Sequence, residues 1–198
     1  MKIIIIGATG TIGKKVTEAF QGKHEIITAG SKSGDFQLDI TSPESIEAFY
    51  KQVGPFDALV STTGSGHFGP LTSTTPADFK KGIESKLLGQ VNLVLIGQHY
   101  INAKGSFTLT SGILSEDPVI NGANLGTING GLNAFVLAAA IELENSVRIN
   151  AISPGVVEDS PGYFEYFPGH APVPMDKVVN AYVKSVLGAI TGQVIRVF

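Results

Sequence analysis

The chain has 198 residues, 43% of them apolar and 16% charged, which is enough for one substantial core and too few for two ordinary domains. Its 14 basic and 17 acidic side chains leave a net charge of −3, so no broad attraction to a nucleic-acid backbone or an anionic membrane surface is expected. With no cysteine, disulfides and thiolate chemistry are excluded, and a reducing, cytoplasmic location is the expectation.

In chain order, four consecutive isoleucines, Ile3 to Ile6, predict a strand over Lys2–Ile6 that is buried on both faces. The apolar run ends at Gly7, too short for a signal-peptide core, and no stretch of about 18 apolar residues follows anywhere. Gly7-Ala8-Thr9-Gly10-Thr11-Ile12-Gly13 comes next and opens a helix over Thr11–Gln21. A buried strand, a glycine turn and a helix start, in that order, bring backbone N–H groups together at a helix N-terminus. That arrangement suits an anionic pyrophosphate, so a dinucleotide is the expected ligand, although glycines in this spacing also serve plain strand-to-helix turns.

Further strands are predicted over Glu25–Ala29, Phe36–Leu38, Ala58–Ser61, Gly105–Thr110, Arg148–Ile152 and Gln193–Val197. Helices are predicted over Pro43–Gln52, Pro76–Ile101, Ile128–Leu143 and Met175–Ala189. Alternation of short β-branched runs with helical patterns implies an α/β chain: a doubly wound, parallel, seven-stranded sheet in a single domain. Only Gly30 to Asp35 separates the second and third strands, far too few residues for a crossover helix, so one helix of the usual winding is missing there. Pro154 to Pro174 is a long irregular stretch carrying Tyr163, Phe164, Tyr166 and Phe167, which reads as a lid over a substrate site. His24, His67, His99 and His170 are scattered without ligand spacing, and no metal site is expected.

Taken with the glycine turn, four further segments make the chain similar to the short-chain dehydrogenase/reductase family, a Rossmann fold, over essentially its whole length. Leu38-Asp39-Ile40 resembles the family's adenine site, which implies that the Asp39 carboxylate and the Ile40 N–H meet the ring. Ser61-Thr62-Thr63-Gly64 stands where the family has Asn-Asn-Ala-Gly beside the cofactor ribose. Arg148-Ile149-Asn150-Ala151-Ile152-Ser153-Pro154-Gly155 resembles the sixth strand and its Pro-Gly, after which Val156 and Val157 would contact the nicotinamide carboxamide. Ile190-Thr191-Gly192-Gln193-Val194 resembles the last strand. The resemblance thus gives Gly7, Thr9, Gly10, Thr11, Ile12 and Gly13 to the phosphates, and Pro154, Gly155, Val156 and Val157 to the nicotinamide end.

The end of the second strand lacks the acidic side chain that would hold both ribose hydroxyls of NAD. Ser31 and Lys32 stand there instead, a hydroxyl and a cation suited to a phosphate monoester, so NADP is expected over NAD, with Asp35 placed beyond reach. A solvated loop lysine is the plainer reading of Lys32.

Ser111, at the end of the fifth strand, matches the family's substrate-orienting serine. The family's tyrosine proton donor and the lysine four residues after it are a different matter, since alignment of the following helix puts Leu125 and Asn129 in their places. Residues 101 to 162 contain no tyrosine at all. Lys86 occupies the position of a family asparagine on the preceding long helix. It is the candidate to supply the missing charge or proton, the alternative being a surface lysine that reaches for water. Tyr163 and Tyr166 on the lid, and His67 on a glycine-flanked loop, are weaker candidates; Glu142 and Glu144 read as a solvated face.

Two functions remain open. One is an NADP-dependent oxidoreductase moving hydride between nicotinamide and a carbonyl or alcohol, with Ser111 and Lys86 at the reacting oxygen. The other is a non-catalytic, NADP-binding redox sensor. The helix containing Gly130-Gly131-Leu132-Asn133-Ala134-Phe135 and Ala138-Ala139-Ala140 is apolar on more than one face, which points to a homodimer or homotetramer.

Overall fold

The computed structural model describes residues 1–198. Seven parallel strands form one sheet in the order β3-β2-β1-β4-β5-β6-β7: β1 Lys2–Ile6, β2 Glu25–Gly30, β3 Phe36–Gln37, β4 Phe56–Ser61, β5 Ile101–Thr110, β6 Arg148–Pro154 and β7 Gln193–Val197. The helices are α1 Thr11–Phe20, α2 Pro43–Val53, α3 Pro76–Gly82, α4 Gly89–Gly97, α5 Ala123–Glu142 and α6 Met175–Leu187. As the spacing requires, β2 passes to β3 without a helix, and Ala29 pairs with Phe36.

The four isoleucines show why the core has two halves. Successive side chains of a strand point to opposite faces. Ile4 and Ile6 therefore enter a cluster under α2, α4 and α5 that includes Phe49, Tyr50, Leu93, Leu132 and Val136. Ile3 and Ile5 enter the other, under α1 and α6, with Val16, Phe20, Val178 and Tyr182. All four isoleucines are excluded from solvent.

Two helical boundaries differ from the sequence expectation. The helix expected over Pro76–Ile101 is three pieces: α3, a π-helical turn over Ile83–Leu88, and α4, which stops at Gly97 so that Ile101 already begins β5. Hydrophobic periodicity cannot register a π turn, which inserts one residue into the helical repeat. On the other side of β5, α5 starts at Ala123, five residues before the expected Ile128, because the Gly122–Thr127 segment carries too little periodicity to announce a helix.

Candidate functional site

The strand order reverses between β1 and β4, and at such a switch point the strand C-termini diverge to leave a crevice. Gly7, at φ +83°, turns the chain out of β1 over this crevice. A Cβ at Gly13 would lie 2.1 Å from the Gly7 carbonyl oxygen and 2.6 Å from Thr62 Oγ1, so the start of α1 seats against the turn only because Gly13 has none. Thr62 clamps the other side, its hydroxyl donating to the carbonyls of Ile6 at 3.0 Å and Gly7 at 3.2 Å. The N–H groups of Thr11, Ile12 and Gly13 meet no acceptor in the protein and stand open at the N-terminus of α1.

A cavity of about 570 Å³ runs from this turn across the ends of β2 and β3. Gly7, Thr9, Gly10, Ser31, Lys32, Asp39, Ile40, Thr62, Thr63 and Gly64 line it. The structure thereby gathers ten of the sequence-nominated residues on one surface. Thr11 and Gly13, at the start of α1, and Ser61 do not line it; Ser61 is fully buried at the end of β4 with its hydroxyl unpartnered. Asp35 folds onto β2, where its carboxylate accepts from both the N–H and the hydroxyl of Thr28 at 2.8 Å. At the β2 end of the cavity stand Ser31 and Lys32, with Ser33, whose hydroxyl meets that of Thr9 at 2.9 Å. One Asp39 oxygen accepts from the Thr41 hydroxyl and N–H, which hold that carboxyl below its ordinary pKa; the other is open, and the neighbouring Ile40 N–H has no acceptor.

A second cavity of about 390 Å³ lies over the ends of β5 and β6. Ile12, Lys86, Ser111, Leu125, Asn129 and Pro154 to Val157 line it, closed by Tyr163 and Phe167 from the lid. Val156 and Val157 are buried, with N–H groups that meet no protein acceptor. The lid is a short 3-10 helix, Pro161–Tyr166, whose base is pinned by bonds between Val173 and both Val156 and Glu158 and by the His170–Asp117 contact at 3.0 Å. Ser111 is 2% exposed. Its position is fixed from below, because Gln90 accepts from the Thr110 N–H and donates to the Thr110 carbonyl, both at 2.9 Å. The Ser111 hydroxyl makes only a long 3.4 Å contact with the Ile152 carbonyl and is free to turn toward the cavity.

Lys86 sits on the π turn, where it is half-buried and does not reach for bulk water. Its Nζ donates to the Ser111 carbonyl and to Asn129 Oδ1, each at 2.9 Å. Loss of hydration, with no compensating carboxylate, pushes its pKa down to about 8. The loop after β4 packs against this turn at Gly64, where a Cβ would stand 2.7 Å from the Lys86 Cα, and the Ser65 N–H donates to the Ser85 hydroxyl beside it at 3.2 Å. Sequence reasoning nominated Lys86 and Ser111 but assigned Asn129 no task. A buried amide side chain on a core helix gives no periodic signal of a partner 43 residues away.

The weaker candidates separate from this centre. Tyr163 lines the cavity, whereas Tyr166 packs edge-on against Phe68 outside it, with ring centroids 5.2 Å apart. His67 lines a different, polar cleft with Asp78 and Lys81. Glu142 and Glu144 are exposed. No group of three or more metal-ligating side chains occurs.

A family model described as enoyl-(acyl carrier protein) reductase matches residues 9–163. The short-chain dehydrogenase/reductase ATR9 of Stachybotrys chlorohalonatus is 30% identical over 185 residues, covering 88% of this chain and 70% of the relative. Among solved structures, the protein lin1944 from Listeria innocua is 50% identical, with both chains fully covered and a TM-score of 0.98. A small-chain dehydrogenase in complex with NADPH is 27% identical, with 100% of this chain and 96% of that one covered and a TM-score of 0.88. The chain belongs to the short-chain dehydrogenase/reductase family.

Proposed function

We propose that this protein is an NADP(H)-dependent oxidoreductase acting on a carbonyl or alcohol. The observation that carries the reading is the second cavity, where a serine hydroxyl and a desolvated lysine amine share one chamber with the Pro154–Val157 turn. The residues present suit the dinucleotide: open N–H groups at the start of α1 for its phosphates, Ser31 and Lys32 for a 2′-phosphate, Asp39 and Ile40 for adenine, Val156 and Val157 for the carboxamide. The solved NADPH complex of a 27% identical small-chain dehydrogenase supports NADP over NAD. Bound there, the cofactor would supply or accept hydride.

The protein's own part is the proton and the oxygen. The Ser111 hydroxyl turns from the Ile152 carbonyl to orient the substrate oxygen. Lys86, with two N–H groups committed to Ser111 and Asn129, keeps a third without a protein acceptor and lines the cavity, where its ammonium gives a proton to the oxygen as charge develops. Leu125 and Asn129 stand where the family's tyrosine and lysine are expected, so the donor approaches from the π turn and not from α5. Exposed Leu88 on the π turn and Leu95 on α4, with Leu137 and Ile141 on α5, support pairing of two copies through these helices.

Purified protein mixed with NADPH and a panel of aldehydes, ketones and quinones tests the reading by oxidation of the cofactor. Turnover with any of them supports it. Tight NADPH binding with no turnover supports the second reading, a non-catalytic NADP-binding sensor, which the substitution of Leu125 for an ionisable donor favours.

A further inference from the structure

The polar groups that face the second cavity are unbalanced. Lys86 Nζ can only donate, so the Asn129 side-chain atom it meets is the carbonyl oxygen, and this fixes the amide's orientation. The Asn129 NH2 group is thereby turned the other way, toward Gly112, at 2.9 Å from where a Cβ would stand on that glycine. Asn129 is only 2% exposed, yet its NH2 has no acceptor in the protein, and the residue lines the cavity. The Ser111 hydroxyl is held by one long contact. Side-chain donors from Ser111, Asn129 and Lys86 therefore meet this chamber, and no carboxylate lines it. Ile113, Leu114, Leu125, Val156 and Phe167 make the apolar part of the wall, and the hydroxyl-bearing Thr110, Ser160 and Tyr163 line it as well.

We propose that Asn129 completes an oxyanion site with Ser111 and Lys86, so that the cavity binds an apolar molecule through one oxygen that carries, or gains, negative charge. Preorganised donors in a chamber of low dielectric are worth most where charge develops, and Lys86 is the one charged side chain lining the cavity, so a second charge on the ligand finds no partner. The inference extends the oxidoreductase reading by naming the substrate as an otherwise uncharged, apolar or aromatic carbonyl compound. It also predicts binding of a stable anion of that shape whether or not turnover occurs. Lys86 meets the Ser111 carbonyl just after β5, Asn129 on α5 and Gly64 from the loop after β4, and Leu125 from α5 and Tyr163 from the lid line the same cavity; Tyr163 is the one other titratable group there.

Benzoate is the probe, titrated calorimetrically into the protein with and without NADP⁺, with benzyl alcohol as the uncharged control. Between about pH 7 and about pH 9.5 the protonated fraction of a group titrating near 8 falls roughly 30-fold, and benzoate affinity is expected to fall with it while benzyl alcohol does not change. Asn129→Leu is expected to weaken benzoate about tenfold at the lower pH, one good hydrogen bond to a charged group. Asn129→Asp, which keeps the side chain's size, is expected to weaken it further through charge repulsion and to raise the Lys86 titration midpoint. Absence of benzoate binding in both cofactor states, pH-independent binding, or wild-type affinity in the Asn129→Asp variant would each overturn the proposal. Failure of the aldehyde and ketone panel alone would overturn only the oxidoreductase reading.

Discussion

The Lys86 ammonium, on the π turn before α4, donates a 2.9 Å hydrogen bond to Asn129 Oδ1 on α5, bridging the two helices that flank β5. By resemblance, an asparagine belongs at 86 and a lysine at 129. In this chain amide and ammonium stand on exchanged helices and still meet. The charge that the resemblance places on α5 is therefore present in the chamber, supplied from the other side.

Replacing Lys86 with Met removes the proton donor while keeping much of the side chain's bulk. Loss of a positioned general acid costs on the order of 100-fold or more in rate. NADPH affinity is expected to stay close to wild type, because the nucleotide groups lie mainly in the first cavity. Steady-state kinetics and a fluorescence titration separate the two; unchanged turnover would remove Lys86 from the mechanism.

Lys86 also links activity and stability to pH. Carbonyl reduction needs the protonated amine, so its rate should hold below about pH 8 and fall as pH rises through that value. Stability runs the other way. Between about 8 in the folded protein and 10.5 in the unfolded chain, only the unfolded state holds the proton, so stability rises with pH across that window. The gain is at most about 3 kcal/mol, from the conversion of pKa units into free energy. Urea unfolding at a series of pH values should show this slope in the wild type and lose it in Lys86→Met.

Lys32→Ala tests cofactor choice. A cation on a phosphate monoester contributes about 1.5–3 kcal/mol through charge-assisted hydrogen bonds, so NADPH binding should weaken at least tenfold. NADH binding should change little. If both cofactors respond equally, Lys32 does not read the 2′-phosphate.

Gly13→Ala places a Cβ into the Gly7 carbonyl at 2.1 Å, backbone that cannot yield cheaply. The start of α1 must move away from the turn, opening the row of N–H groups that faces the crevice. The expected result is loss of NADP binding together with a destabilisation of about 1–3 kcal/mol from overpacking, read from calorimetry and thermal melts.

Ile141 is 88% exposed and Leu137 55%, on the outer side of α5. Sedimentation of the wild type at micromolar concentration should give a dimer or tetramer, and Ile141→Glu with Leu137→Glu should shift it toward monomer. A wild-type monomer would leave these side chains without the proposed partner.

The sequence by itself determined the sheet and the nucleotide crevice. Four β-branched residues in a row followed by a glycine turn can satisfy their backbone and bury their side chains in very few ways. A six-residue spacer between β2 and β3 cannot contain a crossover helix whatever its composition. These are local constraints, carried by consecutive residues. The resemblance likewise nominated Ser111, set Leu125 at the position expected for a tyrosine, and brought Lys86 forward as a candidate. What Lys86 touches was decided only by the tertiary structure, since its place on the π turn at Ile83–Leu88 brings it to Ser111 and Asn129, and burial lowers its pKa. Asn129 was silent in the sequence for the same reason: its partners are the ammonium of Lys86 and the space beside Gly112, residues 43 and 17 positions away, brought together by the packing of α5 across β5. Hydrogen-bond balance in a cavity belongs to the assembled molecule, because it depends on which donors are left over after every helix and strand has been paired.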